Sequence, residues 1–444
     1  MSDEADFSSN LYSFWKRLAS RRYSPSPMWG TYPEQEPMVE HARALFHAEK
    51  AKDLQFLATR KIEDIRHFDV AGMERAVAIC MYGRSGSQLL ASYLDGHNDL
   101  IMLPTNGGER IYQFFDRYRS LSLHDKLIAY PVFATHFFDG DFPIAPAHYY
   151  AAVNALFNVY GNRSLEFLES RRAFFQLLHV VYCVALGRRP ASPRPVIVWA
   201  LHFLNDQLAR HFVEDFPQAR FIHTVRDPIT SFSRLFDRWF RDVGHQRGFL
   251  SAGYVTSHLT RADIAHPGME SRTRAIRFED LHSSLEKTMR TVADWLGLTF
   301  QSSLLDSTLN GVPWTVQRGT ISWSGVRPEQ AIRDSRNISF TDRGLLFVVL
   351  NEDFVAWNYP CPTIFKYPLV RVLTFMLVLL IPMKMEMIEV YTLIKTLPSL
   401  RRKAFRYAIN GLVQIFICRV AIMSLMAVEL FRRLIFGKRV LELL

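Results

Sequence analysis

The stretch Ala76-Val-Ala-Ile-Cys-Met-Tyr-Gly-Arg-Ser-Gly-Ser-Gln-Leu-Leu-Ala-Ser-Tyr-Leu94 runs from an apolar segment through two glycines into a second periodic segment. Ala76 to Tyr82 is an unbroken apolar run, the pattern of a strand covered on both faces. Gly83 and Gly86 end it, and Leu89, Leu90 and Leu94 follow at helical spacing. Strand, glycine turn and helix start together present several backbone N–H groups to an anion. Gly86 permits close backbone approach, Ser85 and Ser87 add hydroxyl donors, and Arg84 adds a fixed positive charge. The candidate phosphate-binding residues are therefore Gly83, Arg84, Ser85, Gly86, Ser87 and Gln88. The loop is not a Walker A motif, because no lysine follows Gly86. Alone, it reads equally as a tight strand-to-helix turn carrying an exposed arginine.

A second stretch, Phe221-Ile-His-Thr-Val-Arg-Asp-Pro-Ile-Thr-Ser-Phe-Ser-Arg234, repeats the pattern of a buried strand followed by polar residues. Pro228 suits the first position of a helix. In order, spacing and flanking strands the two stretches resemble the sulfotransferase family that uses 3′-phosphoadenosine-5′-phosphosulfate. The resemblance runs from about Arg75 to Pro360. It implies a P-loop-like α/β domain, three layers α/β/α around a central, mainly parallel sheet. It also implies that residues 83–88 hold the 5′-phosphosulfate of the donor and that Arg226 holds its 3′-phosphate with a nearby serine. The family's serine usually stands eight residues after the arginine, where this chain has Arg234, so Ser231 and Ser233 are the candidates.

The resemblance extends to the chemistry. Pro195-Val-Ile-Val-Trp-Ala-Leu-His-Phe203 reads as another buried strand, with His202 at its C-terminal end, where open α/β sheets place their ligands. Many members have their catalytic base at this position, about two dozen residues before Arg-Asp-Pro. Ala200 stands where relatives often carry lysine. Some relatives use a glutamate base instead, for which Glu109 in Asn106-Gly-Gly-Glu-Arg110 is the candidate. Arg84 would face charge on the leaving phosphate, and Arg318-Gly319 is a candidate counterpart of the basic loop that covers the nucleotide. Ala275 to Leu281 reads as supporting scaffold. The reaction implied is transfer of a sulfuryl group to a hydroxyl or amine of a small molecule, glycan or lipid, with no metal. The alternatives are a P-loop nucleotide kinase or NTPase, against which the missing Walker lysine argues, and a catalytically inactive membrane-associated scaffold of the same fold.

The 444 residues are 49% hydrophobic, enough for a sizeable core, and carry a net charge of +10. That charge favours an anionic cofactor, an acidic substrate or an anionic membrane surface. Nucleic acid is disfavoured, since no zinc-ligand spacing, helix-turn-helix or RNA-module signature is present. Cys80, Cys183, Cys361 and Cys418 are far apart and read as reduced intracellular thiols. The first residues lack a secretory signal pattern, so a cytoplasmic protein is expected.

Three regions follow: an arm and helices over 1–75, an α/β domain over 76–360 and an apolar, basic helical region over 361–444. Val39 to Phe68 predicts one or two helices, and Tyr112 to Leu186 is helical and rich in core aromatics. In the last region, Val372 to Met383 and Tyr407 to Val428 are apolar runs, the second interrupted by Arg419. Neither cleanly reaches the roughly 20 residues of a spanning helix. Basic clusters at 401–406 and 432–439 flank the second run, which predicts adsorption to a membrane or, alternatively, an oligomerising or core-packing helical pair.

Overall fold

The computed structural model describes residues 33–50, 54–81, 85–103, 108, 110–134, 137–138, 144–164, 170–201, 206–234, 269–318, 321–323, 325–333, 338–396, 404–437 and 440–444. Gly83, Arg84, Glu109, His202 and Gly319 lie outside the described residues.

The apolar runs form a five-stranded sheet. Its strands are β1 (Ala76–Met81), β2 (Leu100–Met102), β3 (Val196–Leu201), β4 (Arg220–Val225) and β5 (Thr273–Arg277). The order is β2-β3-β1-β4-β5, and every pairing is parallel. Side chains alternate between the faces. Ala78 and Cys80 of β1 join Trp199 of β3 in one core, beneath helices 35–50, 54–66, 111–117, 123–133, 146–164 and 171–185. Val77 and Ile79 join Val198 and Ile222 in the opposite core, beneath helices 87–94 and 285–296. This is the expected three-layer α/β/α arrangement, and burial on both faces explains why the strands are apolar throughout.

The expected N-terminal helices are Gln35–Lys50 and Leu54–Arg66. Their Ala42, Phe46, Ala58 and Ile65 belong to the same core as β1, so no gap in packing falls at residue 75. The aromatic segment is a set of helices in which Phe114, Phe133, Phe137, Tyr149 and Tyr150 are buried, while Phe115 and Phe138 are partly so.

The C-terminal region also packs on the sheet. Phe375, Val378, Met423, Met426 and Leu430 share a hydrophobic cluster with Val225 of β4 and Ala275 of β5. The chain then returns to the sheet edge. Ala275 donates from its N–H to the Glu442 carbonyl at 2.7 Å, and the Leu444 N–H donates to the Ala275 carbonyl at 2.9 Å. Trp357 Nε1 donates to the Leu441 carbonyl at 3.1 Å. Buried charge joins the same elements: Arg433 is ion-paired with Asp353 and lies 2.5 Å from Glu429 Oε1, with the Arg433 and Asp353 side chains both at 0% exposure.

Arg433→Met should therefore be costly, because it leaves Asp353 buried without that guanidinium. Breaking one side of a buried pair typically costs about 3–5 kcal/mol. The denaturant midpoint should fall with an unchanged slope. A loss below about 1 kcal/mol would mean that Asp353 reaches water, as an exposed pair does.

Candidate functional site

Three adjacent strands, β3, β1 and β4, end together on one edge of the sheet. Cys80 is level with Leu201, and Met81 with Thr224. The loop after β1 carries Ser85, Gly86, Ser87 and Gln88. Ser85 is buried, with its Oγ 2.8 Å from Thr224 Oγ1, which ties the loop to β4. Gly86 has φ 88° and ψ 22° and caps the helix Ser87–Leu94 without any side-chain hydrogen bond. That left-handed conformation favours glycine. The cap leaves first-turn N–H groups without a side-chain acceptor at a positive helix end. Ser87 is buried and Gln88 exposed.

Arg226 follows β4. It is 5% exposed, donates from Nη2 to the Gln330 carbonyl at 3.1 Å, and places its guanidinium carbon 4.0 Å from the centroid of the Phe278 ring. Burial pulls its pKa down to about 10, against the attraction of Glu279. It remains a cation at neutral pH. The same Phe278 ring packs on Gly86, where a Cβ would fall 2.2 Å from Phe278 Cδ2. Phe278 is the first residue after β5, and it joins the loop after β1 to the loop after β4.

Asp227, next to Arg226, is buried and fully engaged by neighbouring groups. Its Oδ1 accepts from the Thr230 N–H at 2.8 Å, and its Oδ2 accepts from Arg333 Nε at 2.8 Å. Its own N–H donates to Glu279 Oε1 at 3.2 Å, and Tyr359 Oη donates to Glu279 Oε2 at 2.6 Å. Burial pushes the Glu279 carboxyl up, and these hydrogen bonds oppose that shift. Residues 228–234 are helical, and both candidate serines lie on this segment. The Ser231 N–H donates to the Asp227 carbonyl at 2.8 Å. Ser233 is fully buried, and its Oγ has no hydrogen-bond partner among the described residues. A buried hydroxyl without a partner is costly, so it marks a place where a ligand acceptor would be favourable.

Arg318 ends the short strand Val316–Arg318, which pairs antiparallel with Ile321–Trp323. The described contacts from this part of the chain come instead from a little further on. Gln330 and Arg333 reach Arg226 and Asp227, and the Arg327 N–H donates to His282 Nδ1 at 3.0 Å. Next to the undescribed Glu109, the Gly108 carbonyl accepts from Trp199 Nε1 of β3 at 2.8 Å. Among the described residues, no group of three His, Cys, Asp or Glu side chains is placed to hold a metal.

Phe278 was read as scaffold from sequence. The signal that could have found it is the one applied to His202: the residue just beyond a buried parallel strand lies on the ligand-binding edge.

Residues 77–302, more than half of the chain, match the Sulfotransferase family. The chain belongs to the sulfotransferase family. Its members are transferases of sulfur-containing groups, and the parallel α/β/α architecture is the one expected from sequence. Solved structures similar to this sulfotransferase include the sulfotransferase domain from the curacin biosynthetic pathway, at 16% identity and TM-score 0.36, covering 65% of this chain and 99% of that one. Another is the sulfotransferase domain of the olefin synthase from Synechococcus PCC 7002, at 20% identity and TM-score 0.36, with 65% and 96% covered. A third is a sulfotransferase from Mycobacterium avium, at 13% identity and TM-score 0.30, with 67% and 85% covered. No curated protein matches the chain.

Gly86→Ala should disturb this site through Phe278. The new methyl meets the ring, and a non-glycine residue in the left-handed region costs on the order of 1–3 kcal/mol. Pairing it with Phe278→Leu should recover part of the loss in a double-mutant cycle of unfolding free energies. Strictly additive losses would show that the ring is not the obstacle.

Proposed function

We propose that this sulfotransferase moves a sulfuryl group from 3′-phosphoadenosine-5′-phosphosulfate to a hydroxyl or amine of a small molecule, glycan or lipid. The supporting observation is the joining of Gly86 and Arg226 through Phe278. It sets an uncapped helix start beside a buried cation on one sheet edge. Such an arrangement suits a substrate with two separate anionic groups. The N–H groups around Gly86 and Ser87, with Arg84, would hold the 5′-phosphosulfate. Arg226 would hold the 3′-phosphate, with Ser233 favoured over Ser231 because its buried Oγ lacks a partner. Arg318-Gly319 would close over the nucleotide.

His202 would act as general base, its unperturbed pKa near 6.5 suiting the task. It takes the acceptor proton as the acceptor oxygen or nitrogen bonds to sulfur. The bond from sulfur to the 5′-phosphate oxygen breaks, and adenosine 3′,5′-bisphosphate leaves with the electron pair. Arg84 and the loop N–H groups face the charge that grows on that oxygen, so they favour the transition state over the ground state. No step is routed through a metal.

The donor assignment is checked by ligand-induced stabilisation. Adenosine 3′,5′-bisphosphate should raise the melting temperature, whereas ADP with Mg²⁺ should not. Arg226→Ala should weaken the 3′-phosphorylated nucleotide by at least about tenfold while leaving 3′-dephosphorylated analogues nearly unchanged. Equal weakening of both would make Arg226 structural.

The base is checked separately. His202→Ala should lower kcat by about 10²–10⁴ with little change in nucleotide affinity. Full activity in His202→Ala together with a dead Glu109→Ala variant would move the role to Glu109.

A further inference from the structure

We propose that the outward faces of the C-terminal helices form a docking surface for an anionic membrane, on which the protein lies at the headgroup level without crossing the bilayer. The inference is independent of the reaction proposed above.

Each helix has two distinct faces. On Pro368–Leu380, Arg371, Phe375 and Val378 point into the protein, whereas Leu369, Leu373, Leu377 and Leu380 are exposed, Leu380 at 82%. On Lys384–Thr396 the exposed apolar residues are Met387, Tyr391 and Ile394. On Ala404–Phe436, Met423, Met426 and Leu430 face inward. Ile409, Val413, Phe416, Val420, Phe431 and Ile435 form an exposed stripe in helical register. Apolar surface on this scale marks a partner site rather than ordinary solvent-facing protein.

Arg371 and Arg419 do not interrupt the exposed stripes. Arg371 pairs with Glu352 and donates to the Val348 carbonyl at 2.7 Å. Arg419, which looked from sequence like a break in an apolar run, pairs with Glu386. It also donates to the carbonyls of Val378, Leu379 and Ile381 at 3.0, 2.8 and 3.0 Å. It thereby caps the end of one helix and ties it to the next two.

Charge selects the occupant. Residues 361–444 contain 13 Lys and Arg against four Asp and Glu, a net +9 out of the chain's +10. Arg401, Arg402 and Lys403 immediately precede the long helix, and Lys438 and Arg439 follow it. A second copy placed symmetrically on this face would oppose like charges, whereas anionic headgroups complement them. No described helix is long and apolar enough to cross a membrane. An amphipathic helix that cannot span but is flanked by basic residues lies in the interface plane.

The test is flotation of the full chain with phosphatidylcholine vesicles, with and without phosphatidylserine, alongside the Leu377→Glu/Phe416→Glu double variant. Wild type should bind the phosphatidylserine vesicles at least about tenfold more tightly than the neutral ones. The variant should bind them at least about tenfold more weakly than wild type, with an unchanged melting temperature, because both altered side chains are exposed. Failure of wild type to float, or undiminished binding by a folded variant, overturns the proposal. So does a wild-type dimer in light scattering that the variant converts to monomer, since the face would then be an interface between copies.

Discussion

Parallel pairing of β1 with both β3 and β4 is the constraint on which the rest of the molecule depends. Parallel neighbours cannot be joined by a tight turn, so each connection must cross a face of the sheet. The crossing helices cover both faces and bury most of the strand residues. They also bring the C-terminal ends of β3, β1 and β4 out on one edge. The segments that follow β1 and β4 become neighbours although more than a hundred residues separate them in sequence. That edge carries the glycine loop, Arg226 and Phe278.

Phe278 converts this proximity into a defined geometry. Its ring is pressed on Gly86, where no side chain fits, and supports the Arg226 guanidinium on its face. A cation over an aromatic ring keeps its charge while losing most of its water. The nearby carboxylates hold other groups: Asp227 caps the following helix and binds Arg333, and Glu279 accepts from Tyr359. This network fixes where Arg226 stands through backbone and packing. The cation and the helix start are thus held in place by the protein's own contacts.

Some of this was legible beforehand. Continuous apolar runs such as Ala76 to Tyr82 announce strands covered on both faces, and Gly83 and Gly86 announce the turn between strand and helix. These signals are local, and local periodicity survives without knowledge of the partner. Phe278 looked like scaffold because its role arises from what lies across the sheet. Arg419 looked like a flaw in an apolar helix because the carbonyls and carboxylate that it binds belong to residues 378–386. The divisions drawn at 75 and 360 followed the extent of the resemblance and, at 360, a change in composition. In the fold, the flanking helices share hydrophobic clusters with the sheet, because composition does not record which apolar face meets which.

The sequence by itself determined the class of fold, the order of the two candidate loop stretches and the family they resemble. Those features are written in spacing and in residue types whose backbone preferences act locally. Only the tertiary structure decided that Gly86, Phe278 and Arg226 meet, that the buried Ser233 hydroxyl has no partner among the described residues, and that the apolar helices turn one face inward and one outward. Each of these depends on contacts between residues far apart in the chain. Such contacts are settled by strand register and by packing of volumes and charges, which no single window of sequence contains.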